Sequence, residues 1–297
     1  MSVNSKIPYT EATWNPIRYL NGWMCTKVSA GCLRCYAETF NGRFGNRLPY
    51  SGPDPAIGFR LDEQVLDKPL HWRKPRRIFV QSMGDLFHPD VPFEFGKKVR
   101  DVAGQCLRHT FQFLTKRPKR MFEFQSWLAG PDDISIARWS RNCWGGTSVE
   151  SQKDADERIP WLLKCGFDVR FVSVEPMLGP IRFPRDVLIC DRDPDEASPV
   201  ACIPCLCEKH WVNGMMQGSG ARLECLDWLI IGCESGPNRR PCKLEWVRDL
   251  VEQCDAATVP VFVKQLDIAG KVSKDPAEWP EWARRREYPT HQRRSRQ

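Results

Sequence analysis

Short runs of β-branched and aromatic residues recur along this chain, separated by stretches whose apolar positions repeat at helical spacing. The runs predict strands at Ile78–Ser82, Phe111–Thr115, Cys143–Thr147, Val169–Val174, Trp228–Gly232 and Val259–Lys264. Between them the spacing predicts helices over about 93–108, 118–128, 151–165 and 243–256, the last opening with Leu244, Val247, Leu250 and Val251 on one face. Alternation of this kind belongs to a parallel sheet wrapped by helices. Six strands with crossover helices fit a partial or full (β/α) TIM-like barrel better than a sandwich.

Most of these strands run into a polar or glycine-bearing segment. These are Ser82-Met83-Gly84-Asp85, Thr115-Lys116-Arg117, Thr147-Ser148-Val149-Glu150, Val174-Glu175-Pro176 and Gly232-Cys233-Glu234-Ser235-Gly236. In parallel α/β folds the loops at the carboxyl ends of the strands converge on one opening, where binding and catalysis gather. Any one segment is also explained by the residue types that turns favour. Their repetition makes Lys116, Arg117 and Glu175 candidates for holding a cofactor or substrate.

One stretch breaks the pattern. From Cys190 to Cys225 the chain has little periodicity and carries Cys202, Cys205 and Cys207 followed by a Gly/Ser/Met-rich tract, which predicts an insertion between two strands. The expected organisation is an α/β unit over 1–189 and 226–270, a cysteine-rich insertion over 190–225 and a basic tail over 271–297. Arg284, Arg285, Arg286, Arg293, Arg294 and Arg296 all lie in that tail, which its composition predicts to be solvated and disordered.

The first twenty residues lack the features of a secretion signal, and no apolar run is long enough to span a bilayer. A cytoplasmic protein is expected, with no membrane partner. The 14 cysteines in a chain of 297 residues without a signal then point to metal or cluster ligation, because disulfide frameworks belong to small secreted domains.

Three of those cysteines stand together. Cys25-Thr-Lys-Val-Ser-Ala-Gly-Cys32-Leu-Arg-Cys35 places three thiols in one loop, with Gly31 allowing a tight turn, and no further cysteine or histidine follows until His71. A structural zinc site takes four protein ligands. Three local thiolates leave one position open, as a 4Fe-4S cluster needs if its fourth iron is to bind a small molecule. Two other readings remain: zinc completed by a distant ligand, and three thiols buried as small apolar residues.

Glu11-Ala-Thr-Trp14-Asn15-Pro16, the cysteine loop ending in Cys35-Tyr36-Ala37-Glu38, Ser173-Val174-Glu175-Pro176 and Gly232-Cys233-Glu234-Ser235-Gly236 carry a resemblance. Together they resemble a phage-protein family defined by a three-cysteine motif, itself similar to the radical S-adenosylmethionine superfamily, with spore photoproduct lyase among the nearer relatives. The likeness covers roughly residues 8–182 and 226–267. The superfamily has three residues between its first two thiols where this chain has six.

The resemblance implies a barrel of radical SAM type, in the host cytoplasm if phage-encoded. It also implies a cluster on Cys25, Cys32 and Cys35, S-adenosylmethionine as cofactor and an external electron donor. By position it implies that Gly84 and Asp85 hold the cofactor's amino group, and that Thr147, Ser148 and Glu150 hold its ribose.

In the insertion, Cys202, Cys205, Cys207 and His210 have ligand-like spacing for zinc, with a second cluster or free thiols as the alternatives. Cys106, Cys165 and Cys254 sit on apolar helix faces and are expected in the core. The leading expectation is therefore an enzyme that cleaves S-adenosylmethionine reductively to make a radical. A substrate of nucleic-acid type is suggested by the tail and by the clusters Arg73-Lys74-Pro75-Arg76-Arg77 and Lys116-Arg117-Pro118-Lys119-Arg120, within a formal charge of +7. The rival is a non-catalytic module in which both cysteine groups hold zinc and the tail grips phosphates.

Overall fold

The computed structural model describes residues 5–130, 137–188, 211–212, 215–216, 225–236 and 238–289. It contains a central sheet of eight strands in the order β1 (Ala12–Trp14), β2 (Arg77–Val80), β3 (Thr110–Thr115), β4 (Cys143–Ser148), β5 (Val169–Val174), β6 (Trp228–Gly232), β7 (Val261–Ile268) and β8 (Lys271–Ser273). The first seven are parallel, and only β8 runs antiparallel, against β7. The six strands read from the sequence are all present. β1 was not anticipated, because three residues are too few to show a period.

Each parallel strand joins the edge left by the one before it, so the crossovers all turn the same way and the helices cover one face. The helices in question are α2 (Phe93–Gln105), α3 (Pro118–Ala129), α4 (Gln152–Leu163) and α5 (Leu244–Ala256), close to the spans the periodicity predicts. Local chemistry sets their starts. Pro118 fills the first turn of α3, where no N–H is needed, and Ser151 caps α4 by accepting from the Asp154 N–H at 3.3 Å. On α5, Val247, Leu250, Val251 and Cys254 form the buried stripe. Cys106, Cys165 and Cys254 lie in this outer core, as expected.

The opposite face of the sheet is lined near the amino ends of the strands by Phe79, Trp144, Phe171, Trp228 and Phe262, with Tyr9 among them. Their rings meet mostly edge-on, Trp144 with Trp228 at 5.7 Å and Tyr9 with Trp228 at 6.1 Å between centroids. Tyr9 precedes the first strand, yet it also touches Phe262 in the seventh at 5.9 Å. The sheet is therefore curled around an aromatic floor. It is not closed, since among the described residues no hydrogen bonds join β1 to the far edge. The fold shown is a mixed α/β architecture on a mostly parallel sheet.

β4 must lie close to its neighbours for the curl to form. A Cβ on Gly145 would sit 2.3 Å from the Phe167 ring, and one on Gly146 would sit 2.6 Å from the Phe171 ring, so both positions need glycine.

The segment after β7 is folded, which differs from the solvated tail the sequence suggests. Trp279 and Ala283 are buried, Trp228 donates its indole N–H to the Glu287 carbonyl at 2.9 Å, and Arg285 pairs with Asp255. Apolar anchors spaced among the arginines hold it down, and the arginines satisfy neighbouring carbonyls and carboxylates. The last arginines, Arg293, Arg294 and Arg296, lie outside the described residues, as do Cys202, Cys205, Cys207 and His210. No described helix is long and apolar enough to cross a membrane.

Candidate functional site

The register aligns the carboxyl ends of the strands, pairing Thr115 with Thr147, Ser148 with Ser173 and Val174 with Ile231. Residues just beyond those pairs emerge at one rim. There a cavity of about 330 Å³ opens above the aromatic floor, and Cys25, Cys32 and Cys35 all line it. The cysteine loop belongs to the long connection between β1 and β2, and it leads into a helix not anticipated from the sequence, α1 (Tyr36–Phe44).

The loop is held down at several points. Asn15, just after β1, accepts from the Met83 N–H at 3.0 Å and the Ser82 hydroxyl at 3.3 Å, while Tyr36 and Tyr50 donate to the carbonyls of Ser82 and Met83, each at 2.6 Å. A Cβ on Gly31 would stand 2.6 Å from a Glu150 carboxylate oxygen, so only glycine lets the loop settle there. Arg34 reaches over to the buried Glu234 at 3.1 Å, which also accepts from the Arg240 N–H at 2.8 Å. That contact ties the cysteine loop to the end of β6.

The three thiols differ electrostatically. Burial pushes Cys25 up to about 12, with Asp85 adding to the rise and Arg117 opposing it. Burial also raises Cys35, against N–H donors from Glu38 and Ala37 at the start of α1. At Cys32 burial works in the same direction, but the Lys116 ammonium, 3.5 Å from the sulfur, and N–H groups of Val28 and Ser29 outweigh it, and the thiol falls below its ordinary value. Cys32 is thus the thiol readiest to ionise.

The polar strand ends are placed as follows. Asp85 accepts from the Thr115 hydroxyl at 2.8 Å, from Arg117 at 2.8 Å and from the Phe87 N–H at 3.0 Å, and Arg117 goes on to the Thr26 carbonyl at 3.0 Å. Gly84, Asp85, Lys116, Ser148 and Glu175 line the cavity. Thr147 is buried, its hydroxyl donating to the Thr115 carbonyl at 2.9 Å, and does not reach the cavity. Glu150 is fully buried between Lys116 and Arg158, beneath Gly31 rather than on the open wall. Glu175 pairs with Lys264.

Lys264, Gln265, Arg34 and Arg240 are not among the residues the sequence marks, and Tyr36 and Glu234 stand there only within longer motifs. Lys264 ends the run that predicts a strand at Val259–Lys264, but β7 continues to Ile268, so Lys264 reaches the cavity from within the strand. Gln265 is fully buried, donates to the Cys233 carbonyl at 2.7 Å and leaves its side-chain oxygen without a partner at the cavity wall. Cys233 also lines the cavity, with burial, then Asp267 and Glu175, pushing its thiol up to about 12.

Among the described residues no three His, Cys, Asp or Glu side chains form a ready site for a single metal ion. A lone zinc needs its sulfurs about 2.3 Å from one point. A cluster takes each thiolate on a different iron, so the thiols need only face the same space. The three thiols stand with Lys116 3.5 Å from Cys32 and Arg117 3.9 Å from Cys25, a donor set compatible with a cluster.

His88 supports the loop from below. It is 1% exposed, its Nε2 stands 2.6 Å from the Thr26 hydroxyl, and its Nδ1 accepts the Asp90 N–H at 3.2 Å. Burial, and then Arg117, lower its pKa from 6.5 to about 4. The unfolded chain takes up the proton near pH 6.5, whereas the folded one keeps the ring neutral to about pH 4. This contribution is therefore complete above pH 6.5 and is lost as pH falls through that window, up to about 3 kcal/mol. Urea unfolding at pH 7.5 and pH 4.5 should show the loss, and His88→Gln should flatten it.

A family model described as a protein of unknown function (DUF5131) matches residues 4–288. No curated protein and no solved structure matches the chain.

Proposed function

The chain belongs to the DUF5131 family, and from its site we propose that it is an iron–sulfur enzyme of the radical S-adenosylmethionine type, on an open barrel-like α/β scaffold. The observation that carries this reading is the placing of three thiols on one wall of a cavity where seven parallel strands end. Cys25, Cys32 and Cys35 would hold the cluster, and the chemistry it would supply there is reductive cleavage of a sulfur–carbon bond of S-adenosylmethionine, with the electron coming from an external donor.

The chain's own residues have separate tasks in this reading. Cys25, Cys32 and Cys35 are the iron ligands, and Lys116, 3.5 Å from Cys32, favours its thiolate. Gly84 lets the strand end pack against the cysteine loop, since a Cβ there would stand 3.1 Å from the Met24 carbonyl. The hydroxyls of Ser148 and Ser173, the free oxygen of Gln265 and the Glu175–Lys264 pair offer donors and acceptors to a nucleoside and an amino acid. The aromatic floor closes the cavity from below and keeps water from a reactive species.

The test is turnover. Anaerobically reconstituted, chemically reduced protein should convert S-adenosylmethionine slowly to deoxyadenosine and methionine without any further substrate. A fully iron-loaded, reduced protein that releases no deoxyadenosine would overturn the proposal. Zinc as the sole metal in the purified protein would favour the non-catalytic module instead.

A further inference from the structure

The inner side of α1 is fully used: Ala37 and Asn41 are buried, and Asn41 accepts from the Trp23 N–H at 3.1 Å while donating to the Leu48 carbonyl at 3.2 Å. Its outer side is not. Tyr36, Phe40 and Phe44 follow one another at four-residue spacing, which puts them on one stripe, and they are 50%, 46% and 70% exposed. The Phe40 and Phe44 rings lie 4.8 Å apart. Leu33, exposed between two of the cysteines, and Val28 extend this surface to the cavity, whose wall includes Val28 and Tyr36.

Charge says what this surface meets. Arg43 and Arg47, within and just after α1, make no ion pair among the described residues, and Lys6 and Lys274 at the cavity wall make none either. The wall as a whole carries seven lysines and arginines against three carboxylates. Most of the 116–120 cluster that the sequence offered as phosphate contacts is engaged elsewhere. Lys116 and Arg117 pair with Glu150 and Asp85, and Arg120 donates to the carbonyls of His88, Pro89 and Val91. Rings flanked by free cations suit a single strand, whose bases offer flat faces for stacking and whose phosphates carry the complementary charge. An aliphatic protein partner would gain nothing from the arginines.

We propose that the exposed face of α1 is a platform for single-stranded nucleic acid, with bases stacked on Tyr36, Phe40 and Phe44 and phosphates met by Arg43 and Arg47, leading a nucleotide to the cavity mouth. The platform stands apart from the iron–sulfur reading, because its binding does not require a cluster. The test is fluorescence anisotropy of a labelled 15-nucleotide single strand and the matching duplex, with the full chain before and after iron reconstitution.

At about 50 mM salt the single strand should bind and the duplex should bind more weakly. Phe40→Ala and Phe44→Ala should each weaken the single strand about tenfold. Combining Arg43→Ala with Arg47→Ala should flatten the salt dependence by a slope of about 1 to 2. Because these side chains are exposed, the thermal melts of the variants should match the parent. The proposal is overturned if the single strand does not bind at low salt, if the duplex binds equally well, or if the phenylalanine variants bind like the parent. It is also overturned if the parent is an oligomer that Phe44→Ala dissociates, which would make the face a contact between copies of this chain.

Discussion

Replacing Cys25, Cys32 and Cys35 together with alanine should take iron in the anaerobically reconstituted protein from about four atoms per chain to none, with loss of its brown colour and its acid-labile sulfide. The three thiols supply all the protein ligands proposed for the cluster, so nothing remains to hold iron. Far-UV circular dichroism should stay unchanged, because the loop lies above the strand ends and both faces of the sheet have their own cores. Iron retained at the parent level in the triple variant would show that the cluster is elsewhere or is not formed.

Glu150→Ala should be the most destabilising single change at the site, by about 3 to 5 kcal/mol in chemical unfolding. Glu150 is fully buried and pairs with both Lys116 and Arg158, the latter also donating to the Ser148 carbonyl. Removing the carboxylate leaves Lys116 without its carboxylate partner and Arg158 with Asp154 alone, and it removes the surface on which Gly31 rests. Glu150→Gln keeps the shape and an acceptor and should cost less. The resemblance in the sequence implies a different role, holding a ribose. Stability within about 1 kcal/mol of the parent, combined with lost S-adenosylmethionine binding, would return Glu150 to that role and remove the supporting one.

Some features of this molecule follow from its sequence because they are local. Strand runs such as Val169–Val174 and helix stripes such as Val247, Leu250, Val251 and Cys254 report their own periods, and their alternation implies a parallel sheet. The cysteine loop is equally legible, since three thiols around a glycine need no partner to be noticed. The strand-end segments marked Lys116, Ser148 and Glu175, because a strand's end can be located from its own residues.

What the tertiary structure decided involves residues far apart in the chain. The three-residue strand Ala12–Trp14 forms only because Ile78–Val80 pairs with it, and α1 shows no buried stripe broad enough to announce it. The curl depends on Tyr9 finding Trp228 and Phe262, and on Gly145 and Gly146 yielding space to Phe167 and Phe171. Thr147 and Ser148 are adjacent in sequence, but strand alternation sends one into the sheet and the other to the cavity. The arginines after Glu281 look like a solvated tail by composition, and Trp279 and Ala283 fold Arg284, Arg285 and Arg286 back onto the sheet. In each case the free energy of burying a ring or pairing a charge is gained only when the distant partner arrives.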